Sequence, residues 1–559
     1  MGKLGMRGTI FALGLVAGSL IGCDQEYDPD APAIDPNAPL VHITSPTRGT
    51  FAGDVGTVTV TGTATDNESV ESVTINGIPA TLLADGTFIA QVPVTAGTNL
   101  LHAIAKDTQG NQGKETRAVA AGPMEPISQM VPSSITASMT AQTFDAIGRG
   151  ITGYMTTGNL TAAAQPMNPV VNYGAPNGPD CLYAQARITS VTVGSTSKIT
   201  LAPQRGGIYL EADLVSPNVN MGLAWAVSCF DGSRNVSVGA SRIKITGVLK
   251  LGVNGDKFEI HLDDEDVRIT GFNVELGGVP GDVINYLSLD TAIGPILALM
   301  VERFAVPYVN RSLAALNATK TVDVLGTMVD IKVRPARIDV DIPGAVIELD
   351  TQFRAHGDTV SPGFVYVTNQ VPVMDMNRGF ELAMADDGMN QLLGSFWAAK
   401  GMEGGFDLKT GSYGEVGVLY DRAEIQAKLP PFVDASGEKL VLTVGDMLVT
   451  FKDGAKIATQ IAINGEVEIS VVPDATGALR LDVGTPTIYV DVLDENVDGA
   501  NQLSNAQFEA VSSFALSRII AFGSGALGAV PLPAFGGVAV QNVGVTEEHG
   551  YLVVGGDIQ

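Results

Sequence analysis

Residues 40–119 alternate apolar and polar side chains in short runs, with the period of two that is typical of half-buried β-strands. One run contains Val58 and Val60, and the next contains Val70, Val73 and Ile75. The turn pairs that separate such runs are Asn76-Gly77, Asp85-Gly86, Ala96-Gly97 and Gly110-Asn111. About seven short strands of this kind predict a small all-β sandwich.

Four later stretches repeat apolar residues every three or four positions, which is the spacing of an amphipathic helix. They cover about residues 132–157, 282–316, 386–399 and 504–522. Ser133 and Ser134 offer caps for the first helix, and Pro295 and Pro307 should kink or divide the second. The apolar positions are Ile135, Met139, Ile147, Ile151 and Tyr154 in the first helix; Ile284, Leu287, Ile293, Ile296, Leu297, Met300 and Phe304 in the second; Met389, Leu392, Leu393, Phe396 and Trp397 in the third; and Phe514, Leu516 and Ile519 in the fourth.

Long alternating runs lie between these helices and predict antiparallel strands with one solvated face. In one of them the chain alternates up to Val253, turns at Asn254-Gly255, and returns through Phe258 and Ile260. The acidic run at 263–266 predicts the next turn. Helices and runs of strands follow one another in blocks, and this order excludes regular βαβ alternation. The pattern predicts an α+β fold with two similar units, each a strand meander with two helices laid against it.

The amino terminus has the three parts of a secretory signal. Lys3 and Arg7 precede about 14 apolar or small residues, which is too short for a hydrocarbon core that needs roughly 20. The segment ends in Leu20-Ile21-Gly22-Cys23, which resembles a bacterial lipobox. We therefore expect a signal peptide at 1–22 and acylation of Cys23, with the chain anchored in the bacterial cell envelope, at the periplasmic face or the outer membrane surface. The alternative is an ordinary cleaved signal with a chance cysteine.

Residues 24–39 carry five acidic side chains, four prolines and no base, so we expect an unfolded tether over 23–39. The net charge of the whole chain is −27. This excludes a nucleic-acid partner, which requires a basic surface, and a large basic patch for anionic head groups.

Only three cysteines occur, and Cys23 is assigned to the anchor. In an oxidising compartment Cys181 and Cys229 are expected to form a disulfide. It would close a loop of roughly 49 residues, worth up to about 4 kcal/mol in the chain-entropy model. Two buried free thiols are the alternative.

Candidate chemistry is sparse. Asp494, Asn496 and Asp498 resemble the first half of a calcium loop, but position 12 of that loop is Asn505 instead of the bidentate Glu. Asp66, Glu68 and Asp107 form a second weak calcium candidate, for which solvated loop acids are the alternative. The motifs GxSxG and HExxH and a glycine-rich phosphate loop are all missing from the sequence, and its five histidines are scattered. We therefore expect no enzymatic activity and no cofactor.

Two resemblances refine this picture. Residues 73–111, around Asn76-Gly77, Asp85-Gly86, Asp107 and Gly110-Asn111, resemble the bacterial Ig-like module that forms domain B of glucodextranase. That resemblance implies a fold and no activity, because its conspicuous residues are turn and core positions.

The remaining residues resemble the tubular lipid-binding superfamily, and within it the bactericidal/permeability-increasing protein family. The likeness is carried by the meander at 243–276 with the helix after it, by the segment at 378–406, and by the end of the chain from Val530. It implies a boomerang of two barrels joined by a central sheet, each barrel with an apolar pocket for acyl chains. The basic tip of the bactericidal member has no counterpart in this acidic chain.

The predicted organisation is a signal peptide at 1–22, a tether at 23–39, an Ig-like sandwich at 40–119, a first lipid-binding barrel at 128–320, and central strands with a second barrel at 321–559. The partner expected from the resemblance is a lipid or another long apolar molecule, contacted by the helix residues given above. The alternative for those residues is that they fill one another's space as an ordinary core. The rival functions are an adhesin that acts through the Ig-like module and, less favoured, a carbohydrate-active surface enzyme.

Overall fold

The structure is a computed structural model. It describes residues 38–558 except positions 68, 176–181, 228, 276, 280–318, 325, 359–360, 368, 410–415, 438, 474–478 and 494–539; within the last range Gln507 and Phe514 are described. The signal peptide, Cys23, most of the tether, Cys181, the second predicted helix and the loop at 494–498 lie outside these residues. The predictions made for them remain predictions.

The Ig-like module is a sandwich of two sheets, as the sequence predicts. One sheet has the strand order β1-β3-β7-β6, and the other has the order β2-β9-β8-β4-β5. Val60, Phe88 and Leu101 lie in the apolar core between the sheets. The strands are β1 (Leu40–Ser45), β2 (Thr50–Phe51), β3 (Gly56–Thr65), β4 (Val70–Ile75), β5 (Ile78–Pro79), β6 (Thr81–Leu82), β7 (Thr87–Val94), β8 (Gly97–Asp107) and β9 (Gln112–Ala121).

A seven-stranded antiparallel sheet forms the centre of the remaining chain. It gathers strands that are far apart in the sequence, because β11 pairs with β23 on one side and with β25 on the other. In spatial order its strands are β21 (Thr319–Val324), β22 (Thr327–Asp341), β23 (Gly344–Ala355), β11 (Val131–Thr140), β25 (Phe380–Ala385), β34 (Tyr551–Ile558) and β33 (Val540–Glu548). A short pair, β10 (Met124–Glu125) with β24 (Phe364–Val365), lies apart from it.

The first sheet-and-helix unit contains two antiparallel sheets with the orders β12-β13-β16-β17-β20 and β14-β15-β18-β19. Helix α1 packs against β14. The elements are α1 (Ala141–Thr157), α2 (Leu160–Ala164), a 3₁₀ turn (Gln165–Met167), β12 (Val171–Gly174), β13 (Tyr183–Thr192), β14 (Lys198–Gln204), β15 (Gly207–Val215), β16 (Asn218–Val227), β17 (Phe230–Gly239), β18 (Arg242–Asn254), β19 (Lys257–Thr270) and β20 (Asn273–Glu275).

The second sheet-and-helix unit is built on one sheet in which β30 pairs with β29, β31 and β32. Helix α3 packs against β23, β24 and β28. The elements are α3 (Asp386–Ala398), β26 (Gly404–Asp407), α4 (Val416–Leu419), β27 (Arg422–Ala427), β28 (Phe432–Asp434), β29 (Leu440–Asp453), β30 (Lys456–Pro473), β31 (Leu479–Val483) and β32 (Thr487–Leu493).

The first predicted helix is wrong over its first nine residues. Residues 131–140 form β11, and only Ala141–Thr157 is helical. Ile135 and Met139 are four positions apart, which fits a helix, but they also share one face of a strand. Pairing on both sides buries this strand from Ser134 to Thr140, and that tertiary burial overrides the local pattern. Ser133 donates its backbone N–H to Asp350 and caps no helix.

The turn predicted at 263–266 is also wrong. These acids lie inside β19, where Thr246 pairs with Asp266 and Val248 pairs with Asp263. The residues between form a bulge, with Asp264 at a φ of 54°.

The α+β prediction fits only in part, because the described chain is mostly β-sheet. The third predicted helix is confirmed as α3, whereas most of the fourth lies outside the described residues.

Candidate functional site

The candidate ligand-contacting residues that the structure describes lie in one apolar cluster. This cluster runs from the first unit through the central sheet into the second unit without a break. Its buried members among the candidates are Ile135, Met139, Ile151, Met389, Leu392, Leu393, Phe396 and Phe514, and Ile147 is half-buried against it. The candidates Ile284, Leu287, Ile293, Ile296, Leu297, Met300, Phe304, Leu516 and Ile519 lie outside the described residues, so their contact with a ligand stays a prediction.

Helix α1 lies close to the sheet of the first unit. A Cβ added at Gly148 would stand 3.0 Å from the carbonyl oxygen of Ile199, so glycine permits this approach. Thr152 Oγ1 accepts the backbone N–H of Ile199 at 2.8 Å and fixes the helix along the strand. Ile151 points inward and is 2% exposed, whereas Tyr154 on the same helix is 41% exposed. The helix therefore turns one apolar face toward the interior of the unit.

Helix α3 is fixed by polar side chains that bind backbone groups of neighbouring strands. Asn390 donates to the carbonyl of Val433 and accepts its N–H, both at 2.8 Å. Gln391 Oε1 accepts the N–H of Phe353 at 2.8 Å, and Ser395 Oγ accepts a further backbone N–H at 2.7 Å. Every residue from Asp386 to Phe396 is buried. These bonds satisfy polar groups that would otherwise be costly to bury.

Two buried carboxyl groups begin α3. Asp386 Oδ2 accepts the N–H of Ala435 at 3.0 Å, and Asp387 Oδ1 accepts the N–H of Val367 at 2.9 Å. The side-chain amide of Asn369 donates to both aspartates, at 2.7 and 3.3 Å. Desolvation raises the pKa of Asp386 to about 6 and the pKa of Asp387 to about 8. Sequence reasoning missed this pair, because two acids in a first helical turn usually indicate an exposed helix end.

An aromatic cluster fills part of the second unit. The rings of Phe406 and Phe451 lie 6.3 and 5.8 Å from the ring of Phe514, with edge-on geometry. Tyr420 stacks on Phe451 with ring centroids 5.0 Å apart. Phe514 is the one candidate of the fourth predicted helix that the structure describes, and it does face the interior of this unit.

Trp397 lies at the boundary with the Ig-like module. Its ring is 6.1 Å from the ring of Phe51, which belongs to the module, and its Nε1–H donates to the carbonyl of Ala427 at 2.8 Å. The candidate Trp397 thus contacts the module. Its neighbour Phe396 is instead fully buried in the apolar cluster.

No group of three or more His, Cys, Asp or Glu side chains in the described part of the chain is placed to hold a metal ion. Asp107 Oδ1 instead accepts the N–H groups of Gln109 and Asn111, both at 2.8 Å, and so closes a turn. None of the helices in the described ranges has the length and apolar character that a membrane crossing needs.

Cys229 is disulfide-bonded and lies in the left-handed backbone region, with a φ of 65°. Its pairing with Cys181 remains a prediction, because Cys181 lies outside the described residues. The antiparallel register is compatible with it: Tyr183, two residues after Cys181, pairs with Ala226, three residues before Cys229.

Comparison with known protein families supports the assignment of the Ig-like module. Residues 39–122 match the family model described as glucodextranase, domain B. This confirms the predicted resemblance for the Ig-like part, which is a small share of the chain. No curated protein matches the sequence.

Among solved structures, a lipopolysaccharide binding protein aligns with 77% of this chain and 99% of its own, at 12% identity and a TM-score of 0.40. P47 from Clostridium botulinum A2 aligns with 77% of this chain and 98% of its own, at 9% identity and a TM-score of 0.24. A glucan-utilization protein of Bacteroides ovatus, in complex with a mixed-linkage heptasaccharide, aligns with 42% of this chain and 62% of its own, at 12% identity and a TM-score of 0.12. These TM-scores are all below 0.5, and we base no argument on them.

Proposed function

We propose that this chain is a non-enzymatic envelope lipoprotein that binds lipids or other long apolar molecules inside its two sheet-and-helix units. One observation carries the proposal. The inward faces of α1, α3 and the surrounding strands form a single apolar cluster that extends through the central sheet. A 16-carbon tail buried in such an interior would gain roughly 12 kcal/mol of gross transfer free energy at ~0.8 kcal/mol per methylene, before ordering costs.

The finer architecture, a boomerang of two barrels, belongs to the same proposal. The central sheet supports this architecture, because it contains one strand that precedes the first unit in the sequence and several that follow it. The helix that packs against each unit supports it as well. The anchor is supported by the signal-like segment that ends at Cys23. Acylation of that cysteine would hold the ligand-binding units at a membrane surface.

The experiment is native mass spectrometry of the chain from residue 24 onward, expressed in bacteria with the Ig-like module retained. We expect additional mass that organic extraction releases as apolar compounds. A fully folded chain that repeatedly purifies without any apolar ligand, and takes none up from mixed lipid vesicles, would contradict the proposal.

A matched pair of substitutions in α1 locates the bound molecule. Ile151→Trp adds bulk to a side chain that is 2% exposed, and Tyr154→Trp makes a similar change at a position that is 41% exposed. We expect the first variant to carry less ligand than the wild type and the second to carry the same amount. Equal ligand content in both variants would place the ligand away from the interior face of α1.

A further inference from the structure

The Ig-like module packs tightly against the second unit. Strands β8 and β9 contact β28, β29, β30 and β32. Leu100, Ala118 and Ala120 of the module form one apolar cluster with Leu429 of the second unit. A Cβ added at Gly97 would lie 2.3 Å from the ring of Phe432, so the two surfaces meet without space for a side chain there. We call this contact the module interface.

A group of charged side chains lies within the module interface. Arg48, from the loop after β1, reaches Asp446 of β29 at 2.6 Å, Glu115 of β9 at 3.2 Å and Asp491 of β32 at 3.5 Å. Arg117 of β9 binds the same Glu115 oxygen at 2.7 Å. These five side chains, which we call the charged cluster, are between 0% and 12% exposed.

Backbone groups and nearby polar rings complete the surroundings of this cluster. The N–H of Thr116 donates to both oxygens of Asp491 at 3.2 Å. His42 of β1 lies 3.3 Å from the other oxygen of Glu115 and is 46% exposed. The ring of His102 in β8 contacts the ring of Tyr489 in β32 at a tilt of 47°, with ring centroids 4.1 Å apart. Strands β1, β8, β9, β29 and β32 therefore each contribute a charged or polar group at or beside the cluster.

We propose that the module interface is a conformational control point, which is closed while the charged cluster holds a proton and loosens when that proton is lost. The cluster contains the carboxyl groups of Glu115, Asp446 and Asp491 but only the two guanidinium groups of Arg48 and Arg117. With all five side chains ionised and His42 beside Glu115 uncharged, one negative charge is left without a counter-charge in a buried contact, and such a charge is costly.

Asp491 is the group that takes the proton. Burial, together with the nearby Glu115 and Asp446, raises the pKa of Asp491 to about 7, against the opposing pull of Arg48. Below that pH Asp491 is uncharged, and closing the interface buries one negative charge fewer beside the two arginines. Above it Asp491 is charged, and closing the interface then buries a negative charge that the two arginines do not balance, at the cost of its desolvation. The module is therefore held more firmly at acidic than at alkaline pH.

Tryptophan fluorescence can report this change, because the chain has only two tryptophans and one of them, Trp397, contacts Phe51 of the module. The experiment uses the unacylated mature chain with Trp225→Phe, so that Trp397 is the single emitter. Acrylamide quenching is measured from pH 5.5 to pH 9. We expect the quenching constant to rise as the pH increases toward 7 and to level off above it, as the ring loses its cover, and to return when the pH is lowered.

Two further variants show whether Asp491 causes the pH-dependent change in the quenching of Trp397. Asp491→Asn removes the titrating group and should abolish the transition, leaving Trp397 protected across the range. Glu466→Gln removes an exposed acid from β30, the strand that pairs with β32, and should leave the transition as in the wild type. A wild-type chain without a transition, or an Asp491→Asn chain that keeps it, overturns the proposal. The wild-type measurement needs no substitution in the cluster, so the test holds even if Asp491→Asn folds poorly.

Discussion

Asp387→Asn should make the protein more stable at neutral and alkaline pH, although it replaces a buried carboxyl group that accepts a hydrogen bond. Burial raises the pKa of Asp387 from its ordinary value of 3.8 to about 8. In the unfolded chain the carboxyl is ionised above about pH 4, whereas the folded chain keeps its proton until about pH 8. Between these values folding takes up a proton, so the free energy of unfolding falls by about 1.4 kcal/mol for each pH unit.

The magnitude follows from the same difference. The difference between a pKa of 3.8 in the unfolded chain and about 8 in the folded chain corresponds to a linkage cost of about 6 kcal/mol above pH 8, and an asparagine does not incur it. In the variant, the side-chain oxygen of the asparagine still accepts the N–H of Val367. Its NH₂ group, however, faces the NH₂ group of Asn369, which donates to Asp387 at 3.3 Å in the wild type, so two donors meet. That mismatch costs about 2 kcal/mol. We therefore expect near-equal stability at pH 5 and a gain of about 3–4 kcal/mol at pH 8.

The assay is urea unfolding at pH 5, 6, 7 and 8 in the Trp225→Phe background, followed through Trp397, which lies in the same helix as Asp387. The stability difference between variant and wild type should grow with pH across this range. Asp54→Asn, at an exposed position of the module, serves as the control and should show no such growth. A difference that stays constant from pH 5 to pH 8 would refute the reasoning, because it would mean that Asp387 is ionised in the folded chain.

Three further changes test the packing. Phe396→Ala should cost about 3–5 kcal/mol in urea unfolding because the ring is fully buried, whereas Val418→Ala, at a side chain that is 77% exposed, should change stability by less than about 0.5 kcal/mol. Gly445→Val, whose Cβ would lie 2.6 Å from the Cβ of Ala118 in the module, should separate the module from the second unit, seen as faster proteolysis between them. Cys229→Ser should lower the thermal midpoint, and a reductant should then have no further effect.

The module interface also changes how the adhesin hypothesis can be tested. Deletion of residues 40–119 would uncover Leu429 and leave Asp446, which is fully buried in the structure, without Arg48. Breaking a buried ion pair from one side costs about 3–5 kcal/mol. Loss of function on deletion would therefore report a damaged second unit as readily as a missing adhesive module. Substitutions on exposed positions of β3 and β7 separate the two hypotheses more cleanly.

Local patterns were sufficient for several elements. The sandwich at 40–119 follows from alternation and turn pairs, and α3 follows from apolar spacing that begins just after two acids at a helix start. The hairpin at Asn254-Gly255 joins β18 and β19 as the turn chemistry requires. In each case the residues that set the structure are neighbours along the chain, so a short window of sequence contains the whole physical cause.

Other features depend on contacts between distant segments. Residues 131–140 form a strand because β23 and β25 pair with both of its edges, although the local spacing also fits a helix. Arg48 and Asp446 are 398 positions apart, and nothing near either residue predicts their contact. The shifted pKa values of Asp387 and Asp491 arise from desolvation, which depends on what the folded chain places around each carboxyl. The amino-acid order thus determines periodicity, turns and apolar content, whereas pairing, burial and the resulting protonation states exist only once remote segments meet.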